Sequence, residues 1–127
     1  MIPLFIRSYQ CSADIPPNTI VKFSDAANSS KVASGAAAAD ALWGISDRMG
    51  GLSGGMADIV IGGLAELKLG GPVAAGDPIT SDANGNGIKC VAAAGVVKRV
   101  ICFAEEPGVL GDVIKVKVAI SLLQLPA

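Results

Sequence analysis

The chain echoes itself, and this constrains the fold more than any single motif. Ile15-Pro16-Pro17-Asn18-Thr19-Ile20-Val21, then Asp25, resembles Val73-Ala74-Ala75-Gly76-Asp77-Pro78-Ile79, then Asp82. Trp43-Gly44-Ile45-Ser46-Asp47 resembles Ile101-Cys102-Phe103-Ala104-Glu105, and Ala57-Asp58-Ile59-Val60 resembles Gly111-Asp112-Val113-Ile114. Each half reads as a turn, a β run, a polar loop, a β run ending in an acid, and a small-residue–Asp turn into a final strand. A unit of this size cannot close a core alone. Two of them are expected to pack together as one small β-barrel or β-sandwich, a mainly β fold built from two similar β units.

Composition agrees. Of the 127 residues 51% are hydrophobic but only 4% aromatic, so the core must be made of Val, Ile, Leu and Ala. Sixteen glycines and seven prolines interrupt the chain often, which favours many short strands over long helices. The expected strands include residues 19–23 (TIVKF), 43–46, 58–61, 65–69, 78–80, 88–91 and 96–103. Residues 113–120 alternate cleanly. Ile114, Val116, Val118 and Ile120 are expected on one face, with Lys115 and Lys117 on the other. The alanine-rich residues 36–42 are expected to form one short helix, with Ser34 as its N-cap. Residues 1–13 read as an N-terminal arm or edge strand, and residues 14–127 as a single β-rich domain.

The charges exclude some roles. Ten basic and eleven acidic residues are scattered without a basic stripe, so no direct nucleic-acid partner is expected. Near-zero net charge on so apolar a chain suits a protein that buries surface in an assembly. There is no histidine, which removes Ser-His-Asp and Cys-His nucleophile systems and the common zinc sites. Cys11, Cys90 and Cys102 show no C-x-x-C spacing and read as reduced, buried small hydrophobes. The opening MIPLFIRSYQ is short and broken by Pro3 and Arg7, so neither a signal peptide nor a membrane partner is expected.

Local motifs reduce to turns. Asp82, Asn84, Asn86 and Gly87 match the first half of a calcium loop, but its twelfth position is Ala93, not a bidentate acid. Two Asn-Gly pairs between β runs point instead to a hairpin corner. Gly85-Asn86-Gly87 lacks the third glycine of a dinucleotide fingerprint and the Gly-Lys-Ser/Thr of a P-loop. Glu105 and Glu106 are adjacent and followed by Pro107-Gly108, which makes a solvated turn rather than a paired-acid site. Trp43 reads as core. No catalytic residue, cofactor or metal is expected, and the chain is not read as an enzyme.

Residues 73–85, with Gly44-Ile45-Ser46 before them and Gly111-Asp112-Val113-Ile114-Lys115-Val116 after, resemble the capsid decoration (cement, or head-stabilisation) proteins of tailed bacteriophages. The resemblance spans most of residues 14–118. It departs at Pro16-Pro17-Asn18, where a glycine turn is usual in the family, and at the Gly50–Gly55 segment. It implies a homotrimer, made in the host cytoplasm, that sits on the outer capsid surface and bridges subunits of the major capsid protein. Such a protein needs apolar contact surface and strands that a neighbour can extend. Ile2, Leu4, Phe5 and Ile6 at one end, and Leu122, Leu123 and Leu125 at the other, are the candidate interface residues. The alternatives are a small-molecule or glycan-binding β module, or another structural virion protein of the tail or head completion.

Overall fold

The computed structural model describes residues 3–91, 94–95 and 97–124. Among them run nine strands: β1 Pro3–Cys11, β2 Ile20–Phe23, β3 Lys31–Ser34, β4 Leu42–Ser46, β5 Met56–Lys68, β6 Pro78–Ser81, β7 Gly87–Lys89, β8 Val97–Ala104 and β9 Val113–Gln124. Hydrogen bonding links them in the order β1-β3-β2-β4-β5-β9-β8-β6-β7, and β1 also pairs with β5. That extra pairing closes a ring of five strands, β1-β3-β2-β4-β5. The remaining strands make a second ring, β5-β9-β8-β6-β7, which returns to its start through a parallel bridge between Leu69 and Gly87. Two small barrels therefore share one long strand.

The internal echo is the geometry of these rings. Ile20 pairs with Ile45 as Pro78 pairs with Phe103, 58 residues later on both strands. Arg7 pairs with Ile59 as Ala65 pairs with Val116, at steps of 58 and 57. Even the isolated bridge from Ile15 to Gly51 returns as one from Val73 to Gly108. The third sequence match was three residues out of step, because β5 begins at Met56 and β9 at Val113, 57 residues apart.

β5 serves both barrels by exchanging its neighbours halfway. Val60 lies between Ile6 of β1 and Ile45 of β4, while from Gly63 onward β9 takes the edge that β4 leaves. Gly63 sits at φ 83°, a conformation that side-chain-bearing residues adopt only at a cost of roughly 1–2 kcal/mol. Residues 58–61 and 65–69 are thus not two strands around a break. They are largely one strand, bent at Gly63 and ending at Lys68. On one side of the bend Ala57 and Ile59 fill the first barrel with Tyr9, Cys11, Val21 and Val32. On the other, Ala65 and Leu67 fill the second with Ile79, Ile101, Ile114 and Val116. Ile20, Leu42, Ile45 and Val60 belong to this second cluster, so the outer wall of the first barrel is part of the core of the second.

Three expectations need correction. Residues 36–40 form a turn, not a helix, and Ser34 closes strand β3 instead of capping one. Alanine favours helix, but one turn between two paired strands cannot repay nucleation. Asp40 then decides the shape: its carboxylate accepts the N–H groups of Ala36 and Ala37, both at 2.9 Å, and meets Lys22 Nζ at 3.4 Å. Second, β3 was not expected at all. Third, Ile120 does not share the buried face of Ile114, Val116 and Val118. Val118 pairs with Cys102 but Ser121 with Val100, so two residues of β9 oppose one of β8. This bulge turns Ile120 outward to 39% exposure.

Asp40 supplies a pH test. Burial works against its charged form, but the Ala36 and Ala37 N–H groups and Lys22 outweigh that and hold its carboxyl below the ordinary value of 3.8. A lowered folded pKa means the stabilisation is complete above the unfolded value and is lost as pH falls through the folded one. Asp40→Ala is expected to cost about 1 kcal/mol at neutral pH. In urea titrations at stepped pH, the gap between wild type and variant should close only below pH 3.8.

Candidate interaction surface

The acids and amides that suggested a site are structural. Asp82 Oδ1 accepts the N–H groups of Asn84 (2.8 Å) and Asn86 (3.0 Å), which holds the corner between β6 and β7. Asp77 accepts from Ala74, Asp112 from Val109, Asp47 from Met49 and Asp25 from Ala27 in the same manner. A carboxylate that terminates local N–H groups is doing the work of a turn. Among the described residues no three His, Cys, Asp or Glu side chains gather as a metal site would require. The three cysteines are buried and unbridged. Burial pushes all three thiols up, with Asp14 adding to the effect at Cys11 and Lys98 opposing it at Cys90. None is poised as a nucleophile.

Trp43 is partly buried and packs against the core of the first barrel. Its Nε1–H donates to the Tyr9 hydroxyl at 2.8 Å, and its ring centroid lies 5.0 Å from that of Phe23. A cleft of about 360 Å³ opens where the two barrels meet, lined by Ile6, Asn18, Arg48, Met49 and Glu66 among others. Ser46 and Asp47 of the first barrel and Val60 and Ala65 of β5 complete its lining.

What the surface does carry is unburied hydrocarbon on β strands. Phe5 and Ile6 of β1 are 65% and 51% exposed, and Leu122 of β9 is 65% exposed. Leu4 and Leu123 lie within β1 and β9, while Ile2 and Leu125 fall outside the described residues. Both segments leave the same waist. Gly63 pairs with Pro3 on one edge and with Val118 on the other, which puts β1 and β9 about 10 Å apart there. From that point β1 continues as a strand of the first barrel, while β9 runs on paired with β8.

A second set of exposed apolar residues was missed in the sequence. Leu52 and Met56 flank the start of β5, and Val109 and Val113 occupy the corresponding places before β9, 57 residues on. Because β5 and β9 are antiparallel, the two pairs stand at opposite ends of the shared strand. The repeat of Gly51-Leu52 as Gly108-Val109 was the available signal.

These features define a tandem-barrel scaffold with apolar strand edges and tips. Neither a family model nor a curated protein matches the sequence. Among solved structures, the chain is similar to the N base of head fiber gp8.5 in bacteriophage phi29. The TM-score is 0.67 at 10% sequence identity, over 91% of this chain and 93% of that one. At that identity the likeness is one of fold.

Proposed function

We propose that this chain is a non-enzymatic structural virion protein on the outside of a tailed-phage head, associating as a trimer that bridges major capsid subunits. The observation that carries the reading is the similarity in fold to a phage head-fiber base over nearly the whole length of both chains. The surface supports it. Phe5, Ile6 and Leu122 are too apolar to stand in water at no cost. A trimer engaging several capsid subunits multiplies weak contacts through effective concentration. Binding that favours the assembled shell stabilises that shell by linkage.

Antibody labelling of purified phage particles, viewed by electron microscopy, tests the location. Label on the head surface is expected, whereas label confined to the tail, or none on intact particles, would overturn the reading. Light scattering of the purified protein should return three times the chain mass.

A further inference from the structure

Among the described residues two strand edges are open, and we infer that they are made for each other in neighbouring copies. The edge of β9 over residues 119–124 pairs with the edge of β1 over residues 5–8 of the next copy. This rests on the self-association proposed above and assigns its interface.

The first open edge follows from the repeat. β9 gives one edge to β8 along its length and the other to β5, but the β5 pairing ends at Val118. Beyond it, among the described residues, β9 has no strand on that side. β8 is longer than β4 by three residues, and its extension covers the β9 edge that a third unit would have taken. The tail of β9 is therefore the outer strand of a two-stranded ribbon, an arrangement marginal in water by itself. The second open edge lies on β1. Gln10 N–H donates to Ser30 O and Ser12 N–H to Val32 O, which fixes β3 beside the end of β1. From residue 8 back to residue 5 that edge has no strand beside it among the described residues, and all four side chains are exposed.

Charge and guarding select the occupant. Soluble proteins blunt free edges with lysine, proline or a covering loop. Residues 119–124 (AISLLQ) contain no charge and no proline, so this edge is built to be covered. The β1 edge carries Arg7 as its only charge. Pairing β1 with β1 in the register that sets Arg7 opposite Arg7 is destabilising, and pairing β9 with β9 would leave β1 uncovered. Joining β9 to β1 opposes no like charges and uses both edges. It is also a contact between two different surfaces, which a closed three-fold ring requires.

The test uses the full chain. Hydrogen exchange read by mass spectrometry should show slowed exchange over residues 5–8 and 119–124 in the wild-type assembly. Leu122→Lys, on a side chain already 65% exposed, should yield a folded monomer by circular dichroism and light scattering, with fast exchange at the amides of both segments that do not bond to β5 or β8. Protection of residues 119–124 alone would mean that β9 meets β9. Protection of neither, or an assembly that survives Leu122→Lys, would overturn the assignment. A wild-type chain that stays monomeric yet labels the phage head would sink this interface and leave the virion reading standing.

Discussion

Replacing Leu67 with alanine should lower the unfolding midpoint by roughly 10 °C, in the barrel that holds it and in the other one together. Leu67 is fully buried among Ile79, Ile101, Ile114 and Val116. Its removal costs about 3 kcal/mol, because short branched side chains fixed on a closed ring of strands cannot move in to fill the space. For a chain of this length that corresponds to roughly 10 °C. The diagnostic part is where the change is seen. Trp43, the only tryptophan, packs against the core of the first barrel with Phe23 and Tyr9. If the shared β5 and the apolar wall of Ile20, Leu42, Ile45 and Val60 make the barrels one cooperative unit, Trp43 fluorescence and far-ultraviolet circular dichroism will shift by the same amount. A fluorescence midpoint that stays at the wild-type value would show two barrels unfolding independently.

The second large effect is expected from Gly44→Ala. A Cβ at Gly44 would stand 2.6 Å from Val60 O and 2.6 Å from Ile59 Cγ2. The oxygen belongs to the backbone of β5, and Val60 pairs with Ile45, so relief requires parting β4 from β5. Overpacking of this kind costs typically 1–3 kcal/mol, and the lost ladder contacts place the expected value near 3 kcal/mol. Gly71→Ala is the matched control. Its Cβ would meet nothing nearer than Ile88 Cγ2 at 3.7 Å, and a change within about 0.5 kcal/mol is expected. Chemical denaturation of both variants checks the contrast, and equal losses would refute the close approach of β4 to β5.

The surface inference bears on the same architecture. A chain of β1-, β5- and β9-type strands, each giving part of an edge to the next, could continue indefinitely. Among the described residues β8 covers one edge of β9, and on the inference above the other edge would be passed to a neighbouring copy. Such an assembly would use the same hydrogen-bonding rule between copies that builds the barrels within one copy.

Local chemistry could be read from the residues alone. Asp82 and the Asn-Gly pairs marked a corner, since an Asx carboxylate takes backbone N–H groups only two to four positions away. The alternation of Ile114, Val116 and Val118 marked a strand with one wet face, and the paired turns and acids marked a repeat. All of this lies within a few residues of the chain. The segment KVAS, residues 31–34, showed no such signature: it is short, largely half-buried, and held by Val21, Lys22 and Phe23 on one side and by the end of β1 on the other. The alanines before Leu42 carried a helical preference of a few tenths of a kcal/mol each, which the flanking strands and Asp40 overrode. That residues 56–68 would form one strand serving two barrels could not be read locally, because Gly62-Gly63 looks like a break until β1, β4 and β9 are in place. Turn positions and strand faces are short-range properties of the sequence. Ring closure and the shared strand are pairings between residues up to 60 apart, and only the folded backbone chooses among them.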